Sequence, residues 1–174
     1  VIKRFYGPAG NAEDIFDAFG FERAHQRMIA SYQGMAWRPA LVAVIQQYMR
    51  ALAERDGANL IHCLAGKDRT GLSVATFHSL MGVHPDDIMA DYLLTNTAGD
   101  VEARVSEGAR AIRAMRGDDV PEEVVRTLMM VDAEYLHTAM DVIKDRHGSV
   151  RSYAREVLNV DGAMLEAMRN RWVA

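Results

Sequence analysis

The sequence predicts an α/β domain in which a small sheet is surrounded by many helices. Residues 1–6 (VIKRFY) precede a Gly7-Pro8 turn, and residues 58–63 (ANLIHC) follow the turn signal Asp56-Gly57. Short apolar runs bounded by turn residues are typical of β-strands, and the second run is apolar enough to predict a buried one. Most of the remaining chain has helical spacing, and 174 residues suit one domain with its own core.

Helical periodicity and helix-start signals define the other elements. Pro39, Pro85 and Pro121 each stand where a first helical turn is expected, and Asp161 is placed to cap the last helix. We expect a helical but broken stretch over residues 11–35, interrupted by Gly20 and Gly34. Complete helices are predicted over residues 39–55, 70–81, 85–95, 101–115, 121–148, 150–158 and 162–172.

Composition excludes several functional classes. With 20 Lys+Arg against 24 Asp+Glu, the net charge is −4, which argues against a nucleic-acid partner. No apolar run approaches the roughly 18 residues that span a bilayer, so no stable membrane insertion is expected. The single cysteine, Cys63, cannot form an internal disulfide, which favours a reducing, cytoplasmic location, with export left open. Because the chain begins with Val1, we expect further residues upstream.

The most informative segment is His62-Cys63-Leu64-Ala65-Gly66-Lys67-Asp68-Arg69-Thr70-Gly71, which lies between the second predicted strand and a helix. A loop that enters a helix N-terminus directs backbone N–H groups inward and makes an anion site reinforced by the helix dipole. Glycine permits the unusual dihedral angles of such a loop, and arginine can bind two phosphate oxygens at once. The segment therefore predicts a phosphate site.

The same surroundings would activate Cys63 as a nucleophile. A cysteine pKa near 8.5 falls to about 3.5–7.5 at such sites, which supplies a thiolate at neutral pH. Cys63 would attack phosphorus while Arg69 and the backbone of Leu64, Ala65, Gly66, Lys67, Asp68 and Arg69 bind the phosphate oxygens. Thr70 would donate to the Cys63 sulfur and His62 would orient the loop. No metal or other cofactor is expected, since the loop itself stabilises the charge.

Asp68 and Lys67 have two open interpretations each. Asp68 is the candidate general acid and later general base, and otherwise a carboxylate that caps the loop. Lys67 would add a positive charge at the rim for a further anionic group of the substrate, and otherwise be an ordinary solvated lysine. His84, Asp86 and Asp87 are better explained by helix initiation than by a metal site.

The loop HCLAGKDRTG resembles the signature of the protein tyrosine phosphatase superfamily, and its GKDRTG form resembles the bacterial tyrosine/serine phosphatase family with the HCxxGKDRTG motif. The resemblance extends over residues 21–96 and 133–172, including ADYLLTN at residues 90–96. It implies a central sheet flanked by helices, with Cys63 as nucleophile, Arg69 as phosphate ligand and Asp68 as acid. Better-known members take the acid from a separate Trp-Pro-Asp loop; this chain lacks that tripeptide, which favours Asp68. Members usually carry further N-terminal strands, so whether an upstream segment supplies an additional acid or a substrate contact is left open.

These observations predict a single phosphatase domain over residues 1–174, N-terminally incomplete, that hydrolyses phosphomonoesters through a cysteinyl-phosphate. Phosphotyrosine in proteins is the leading substrate, with phosphoserine and phosphothreonine beside it. The alternatives are a phosphoinositide phosphatase, which Lys67 would favour, and a non-catalytic module that binds phospho-ligands. Residues 97–120 could form a helical lid whose arginines meet the substrate, or a helix with a solvated charged face; the arginines concerned are Arg104, Arg110, Arg113 and Arg116. The sequence does not determine an oligomeric state.

Overall fold

A computed structural model describes residues 21–116 and 120–173, and this part of the chain is mostly helical. No helix in it is both long and apolar enough to span a membrane. A 3-10 turn, Leu94–Asn96, follows the fourth helix. In chain order the helices are α1 Phe21–Met35, α2 Pro39–Glu54, α3 Asp68–Met81, α4 Pro85–Leu93, α5 Val101–Arg116, α6 Glu122–Met129, α7 Ala133–His147, α8 Val150–Glu156 and α9 Gly162–Trp172.

The predicted sheet is not seen in these residues. Residues 58–63 have no regular secondary structure, and Leu60 is 88% exposed, so the structure does not show the predicted buried strand. A strand needs a neighbouring strand for its backbone hydrogen bonds, and nothing within 21–116 and 120–173 pairs with this segment. The other predicted strand, residues 1–6, lies outside the described residues.

Several helix limits agree with the signals in the sequence. α2 begins with Pro39 and ends at Glu54, one residue before the predicted end. α4 begins with Pro85 and carries Asp86 and Asp87 in its first turn, where carboxylates face the positive end of the helix dipole. Asp161 caps α9, because its side chain accepts a hydrogen bond from the Met164 amide at 2.8 Å.

The helix predicted over residues 121–148 is two helices, so that prediction is wrong. Met130 has extended backbone after α6, and the Asp132 side chain accepts a hydrogen bond from the Glu134 amide to start α7. The apolar periodicity runs through the break because Val131 is itself buried. Capping chemistry therefore outweighs periodicity here, and the break turns the carbonyl groups at the end of α6 toward the loop before α3.

α3 lies at the centre of the main core and carries the candidate site at its N-terminus. Leu72, Ser73 and Thr76 have no exposed surface. The two hydroxyl groups donate to carbonyl oxygens one turn earlier, Ser73 to Arg69 at 2.7 Å and Thr76 to Leu72 at 2.7 Å, which satisfies them in an apolar setting. Helices α1, α2, α4, α7, α8 and α9 contribute most of the other buried residues of this core, and the connecting segments add Ala36, Val131, Leu158 and Val160.

A second, smaller apolar cluster holds α5 and α6 against the start of α1. Val105, Ala109 and Ile112 of α5 pack with Val124 and Val125 of α6 and with Ala24. Polar contacts join this pair to the main body. Asn96 exchanges two hydrogen bonds with the Val131 backbone, each 2.8 Å long, and Arg104 donates to the Thr95 carbonyl at 2.5 Å.

Candidate active site

The loop before α3 has the backbone conformation of an anion cradle. Gly66 has a φ of +65°, in the left-handed region that favours glycine, and Lys67 has the uncommon pair φ −117°, ψ −85°. The Gly71 amide donates to the Lys67 carbonyl at 2.6 Å, which closes the first turn of α3. Leu64, Ala65 and Gly66 are exposed, so a ligand can approach the loop from solvent.

Cys63 is partly buried at the start of this loop. Burial raises the pKa of its thiol, but hydrogen bonds from the Thr70 hydroxyl, the Thr70 amide and the Lys67 amide, with the charge of Arg69, outweigh burial and lower the pKa from 9.0 to about 7. A substantial fraction of the sulfur is therefore thiolate at neutral pH. The arrangement combines a nucleophile with donors that also suit phosphate oxygens.

Thr70 is in the first turn of α3 and influences the ionisation of the Cys63 thiol. Its hydroxyl oxygen is buried without a strictly aligned hydrogen bond in the described structure, yet its interaction with Cys63 lowers the pKa of the thiol. We assign the sulfur as the acceptor, because sulfur accepts over longer and less directional contacts than oxygen. His62 is exposed, and its Nδ1 lies 3.0 Å from the Cys63 carbonyl oxygen.

Asp68 is the first residue of α3, and its side chain is 24% exposed. Tyr32 of α1 donates its hydroxyl proton to Oδ1 at 2.7 Å, and the Lys67 ammonium lies 3.5 Å from the same oxygen. The Tyr32 oxygen is also 2.8 Å from the Tyr92 hydroxyl of α4. The carboxyl group is thus held from one side and remains open to solvent, which suits a group that exchanges protons with a substrate.

Lys67 does not lie at the rim, so the predicted placement of this side chain is wrong. It is 3% exposed, and its ammonium donates to the carbonyl oxygens of Leu128 at 2.6 Å and Met130 at 3.0 Å. These carbonyl groups belong to the C-terminal end of α6 and the break after it, where the helix dipole is negative. A buried ammonium without hydrogen-bond partners destabilises the fold, so Lys67 has to keep these two acceptors. Its contacts therefore hold the loop against the α5–α6 pair.

Arg69 stands in the first turn of α3, one residue after Asp68, and is partly buried. Its charge helps to lower the pKa of Cys63. A second guanidinium, that of Arg38, lies nearby: burial and the charge of Arg69 lower the pKa of Arg38, against the opposing effect of Asp68. Arg38 is held by Ser31, to whose hydroxyl and carbonyl oxygens it donates at 2.9 and 3.2 Å.

The sequence reasoning missed Tyr32, Tyr92 and Arg38. The first two are buried and the third is partly buried; all three come from segments distant along the chain from the loop. No spacing rule connects residues that meet only through tertiary packing. The one available signal was a tyrosine and an arginine placed among the mostly apolar positions that face the core.

The arginines of α5 do not form one solvated face. Arg104 donates to Thr95, and its Nε is buried, whereas Arg110 is exposed and Arg113 lies 3.5 Å from Glu122. Burial lowers the pKa of Lys67 against the opposing effect of Asp68, and the charge of Arg104 lowers it further. The Arg104 end of α5 therefore lies beside the loop, whereas the Arg110 side chain faces solvent.

Metal-ligating atoms meet at one place in the described residues, away from the loop. Atoms of His25, Asp132 and Glu134 lie within 4.8 Å of one another. Asp132 is already engaged as the cap of α7, and the positive end of that helix dipole disfavours a cation there. His84, Asp86 and Asp87 serve helix initiation, since the His84 ring accepts a hydrogen bond from the Asp86 amide at 3.3 Å.

Comparison with known proteins agrees with this site. Over 106 residues the chain is 39% identical to a Cupriavidus necator protein named as a tyrosine-protein phosphatase, covering 61% of this chain and 37% of that protein. Over 118 residues it is 36% identical to the triple specificity protein phosphatase PtpB of Mycobacterium tuberculosis, covering 63% of this chain and 42% of PtpB. The chain thus spans about two fifths of the length of these relatives.

A shorter match, 42% identical over 50 residues, joins the chain to a tyrosine-protein phosphatase of Nostoc commune and covers 29% of this chain and 17% of that protein. The sequence model of a tyrosine phosphatase family matches residues 11–174, nearly the whole chain. With an activated cysteine, an arginine and a carboxyl group placed on one loop, this match shows that the chain belongs to the tyrosine phosphatase family.

Proposed function

We propose that this protein is a cysteine-dependent phosphatase that hydrolyses phosphomonoesters, phosphotyrosine in proteins first and phosphoserine or phosphothreonine beside it. The observation that carries the proposal is the Cys63 thiol, whose pKa is lowered to about 7 at the N-terminus of α3. A structural cysteine in an apolar core would have its pKa raised. The names of the tyrosine phosphatase relatives support the same reaction.

In the first step the Cys63 thiolate attacks phosphorus. The P–S bond forms as the bond from phosphorus to the leaving oxygen breaks, and Asp68 transfers its proton to that oxygen. Arg69 and the amides of residues 64–69 bind the three remaining phosphate oxygens, where negative charge is concentrated. The products of this step are an alcohol or a phenol and a cysteinyl-phosphate.

In the second step water attacks the cysteinyl-phosphate. The Asp68 carboxylate takes a proton from the water, the P–S bond breaks, and inorganic phosphate is released. The Thr70 hydroxyl and the amides that lower the pKa of Cys63 stabilise the departing thiolate. At the end of this step Asp68 carries the proton taken from water and Cys63 is again a thiolate, so both groups are in the forms in which the first step began.

Two alternatives differ in substrate or in class. A phosphoinositide substrate is supported by the word "triple specificity" in the name of PtpB. Lys67 does not favour this substrate, because its ammonium is buried against the end of α6 and cannot contact a second phosphate without leaving the Leu128 and Met130 carbonyl oxygens. A non-catalytic phospho-ligand module has no supporting observation in the loop, where both Cys63 and Arg69 are present.

The wider architecture is also a proposal. We infer that residues 58–63 form a strand of a central sheet when a partner strand is available, since they lead directly into the loop and leave Leu60 exposed. Residues 97–120 are the candidate lid, because their helix α5 packs in a small cluster of its own and Arg104 lies close enough to the loop to lower the pKa of Lys67 further, beyond the larger effect of burial. A reducing location such as the cytoplasm is supported by the need to keep the Cys63 thiol reduced.

The test is hydrolysis of p-nitrophenyl phosphate in the presence of a chelator, with Cys63→Ser as the inactive variant. We expect turnover by the native chain, inhibition by vanadate and no turnover by Cys63→Ser. Full activity in that variant would refute the cysteinyl-phosphate mechanism. A phosphotyrosine peptide and a phosphoinositide assayed side by side then decide the substrate, and binding without turnover would favour the non-catalytic module.

A further inference from the structure

A chain of hydrogen bonds runs from the interior to the candidate acid. The Tyr32 hydroxyl donates to Asp68 Oδ1 at 2.7 Å, and the hydroxyl oxygens of Tyr32 and Tyr92 lie 2.8 Å apart. Tyr32 has no exposed surface, and Tyr92 is almost wholly buried. The three residues come from α1, α4 and the first turn of α3.

The donor and the acceptor in each of these hydrogen bonds follow from the number of protons available. A tyrosine hydroxyl has one proton, and that of Tyr32 is committed to Asp68, so Tyr92 donates to the Tyr32 oxygen. Burial, with the charge of Asp68, raises the pKa of Tyr32, so this hydroxyl stays protonated and remains a donor throughout the accessible pH range. In this series of hydrogen bonds, Tyr92 therefore donates to Tyr32 and Tyr32 donates to Asp68.

Packing holds both rings in place. The Tyr32 ring packs on Tyr135 of α7 with ring centroids 5.4 Å apart. The Tyr92 ring lies against the Gly71 backbone so closely that a Cβ atom at residue 71 would come within 2.7 Å of it. The Tyr32 donor is thus held by contacts with α4 and α7, and the Tyr92 ring packs in turn against Gly71 of α3.

The Tyr32 hydroxyl and the Lys67 ammonium contact the same oxygen of Asp68. The Lys67 ammonium is 3.5 Å from Oδ1, the atom that accepts from Tyr32, and no donor to Oδ2 is found within the described ranges. We propose that Tyr32 is a positioning residue: it keeps Oδ1 as an acceptor, so that the proton transferred in catalysis resides on Oδ2. This inference rests on the proposed role of Asp68 as the acid.

The proposal accounts for both halves of the cycle. When Oδ2 loses its proton to the leaving oxygen, the negative charge left on Asp68 is shared with the Tyr32 and Lys67 donors, and the same donors hold the carboxylate for the proton that water releases. Charged and titratable groups surround Asp68 from the elements packed against it, namely Tyr32, Arg38, Lys67, Arg69, Tyr92 and Tyr135.

The experiment compares two substrates with the native chain and Tyr32→Phe. Phenyl phosphate has a poor leaving group that needs the acid, whereas p-nitrophenyl phosphate has a good one that needs it little. Because a hydrogen bond to a charged group is lost, Tyr32→Phe is expected to lower kcat about tenfold for phenyl phosphate, and less than about threefold for p-nitrophenyl phosphate.

A matched control and a double variant separate positioning from folding. Tyr153 is as buried as Tyr32 and donates to the Ala36 carbonyl at 2.8 Å, away from the loop, so Tyr153→Phe should leave the ratio of the two rates unchanged. In the Asp68→Asn background, Tyr32→Phe should cause no further substrate-selective loss, because the group that it positions is gone. Tyr92→Phe, one bond further away, should show a smaller effect of the same kind.

The results for the two variants separate the positioning role of Tyr32 from the role of Asp68 as the acid. If Asp68→Asn shows a selective loss with phenyl phosphate and Tyr32→Phe does not, the positioning role is refuted and the acid stands. If Asp68→Asn itself loses both substrates equally, the acid and the positioning role both fall. If Tyr32→Phe does not fold, the same comparison with Tyr92→Phe decides, and a loss that persists unchanged in the Asp68→Asn background overturns the proposal.

Discussion

The Thr70 hydroxyl is the largest favourable influence on the ionisation of Cys63, so Thr70→Ala tests how the site makes its nucleophile. The pKa is lowered from 9.0 to about 7, and at 1.36 kcal/mol per unit this corresponds to about 2.7 kcal/mol in favour of the thiolate. Four interactions share this effect and also overcome burial, and the Thr70 side chain comes first among them. Its share is therefore more than a quarter of the total.

From that share, Thr70→Ala should raise the thiol pKa by at least about half a unit, which lowers the thiolate fraction at pH 7 from about one half to about one quarter. The assay is the rate of alkylation by iodoacetamide between pH 5 and pH 10. Cys63 is the only cysteine in the sequence, so the rate reports this thiol alone. The midpoint should move in the alkaline direction by the same half unit or more.

Two variants serve as controls. Thr70→Ser keeps the hydroxyl and should keep the midpoint. Thr76→Ala removes a buried hydroxyl from the same helix, bonded to the Leu72 carbonyl, and should not move the midpoint either. A native midpoint near 9, or an unchanged midpoint in Thr70→Ala, would refute the assignment of Thr70 as a donor to the thiolate.

Three further predictions concern stability. A thiol pKa lowered in the folded state stabilises the fold fully above the unfolded value of 9, and this effect is lost as pH falls through about 7. Between pH 6 and pH 10 the unfolding free energy of the native chain, measured in urea with a reductant, should therefore rise relative to that of Cys63→Ser. The rise should be at most about 2.7 kcal/mol, because solvent screens the partly buried thiol. An unchanged difference would contradict it. Lys67→Met should lower the unfolding free energy by about 1–3 kcal/mol, because two buried carbonyl groups lose their donor. Lys144→Met, at an exposed position, is the control. Equal stability of the two variants would contradict this prediction. Gly71→Ala should destabilise the chain by about 1–3 kcal/mol through the clash with the Tyr92 ring. Gly34→Ala, at an exposed position with no neighbour within 4 Å, should not destabilise it. A Gly71→Ala variant as stable as the native chain would mean that the Tyr92 ring moves freely.

Much of the helical architecture could be predicted because its signals are local. Proline at a first turn, acidic residues after it and Asp161 before α9 act within a few residues, and the limits of α2, α4 and α9 follow from them. The break between α6 and α7 was missed because periodicity is a property of burial, and Val131 is buried although it lies outside both helices. A strand could not be verified from its own residues, since its hydrogen bonds belong to a neighbour.

The sequence by itself determined the chemical groups of this site and their order on one loop: Cys63, Asp68 and Arg69, with Gly66 to allow the loop to turn. Only the tertiary structure decided what surrounds them. It buried Lys67 against α6 where a solvated rim charge was predicted, and it brought Tyr32 to Asp68 across 36 residues of chain. The physical reason is that residue type and short spacing define what a group can do, whereas burial and long-range contacts depend on how the helices pack.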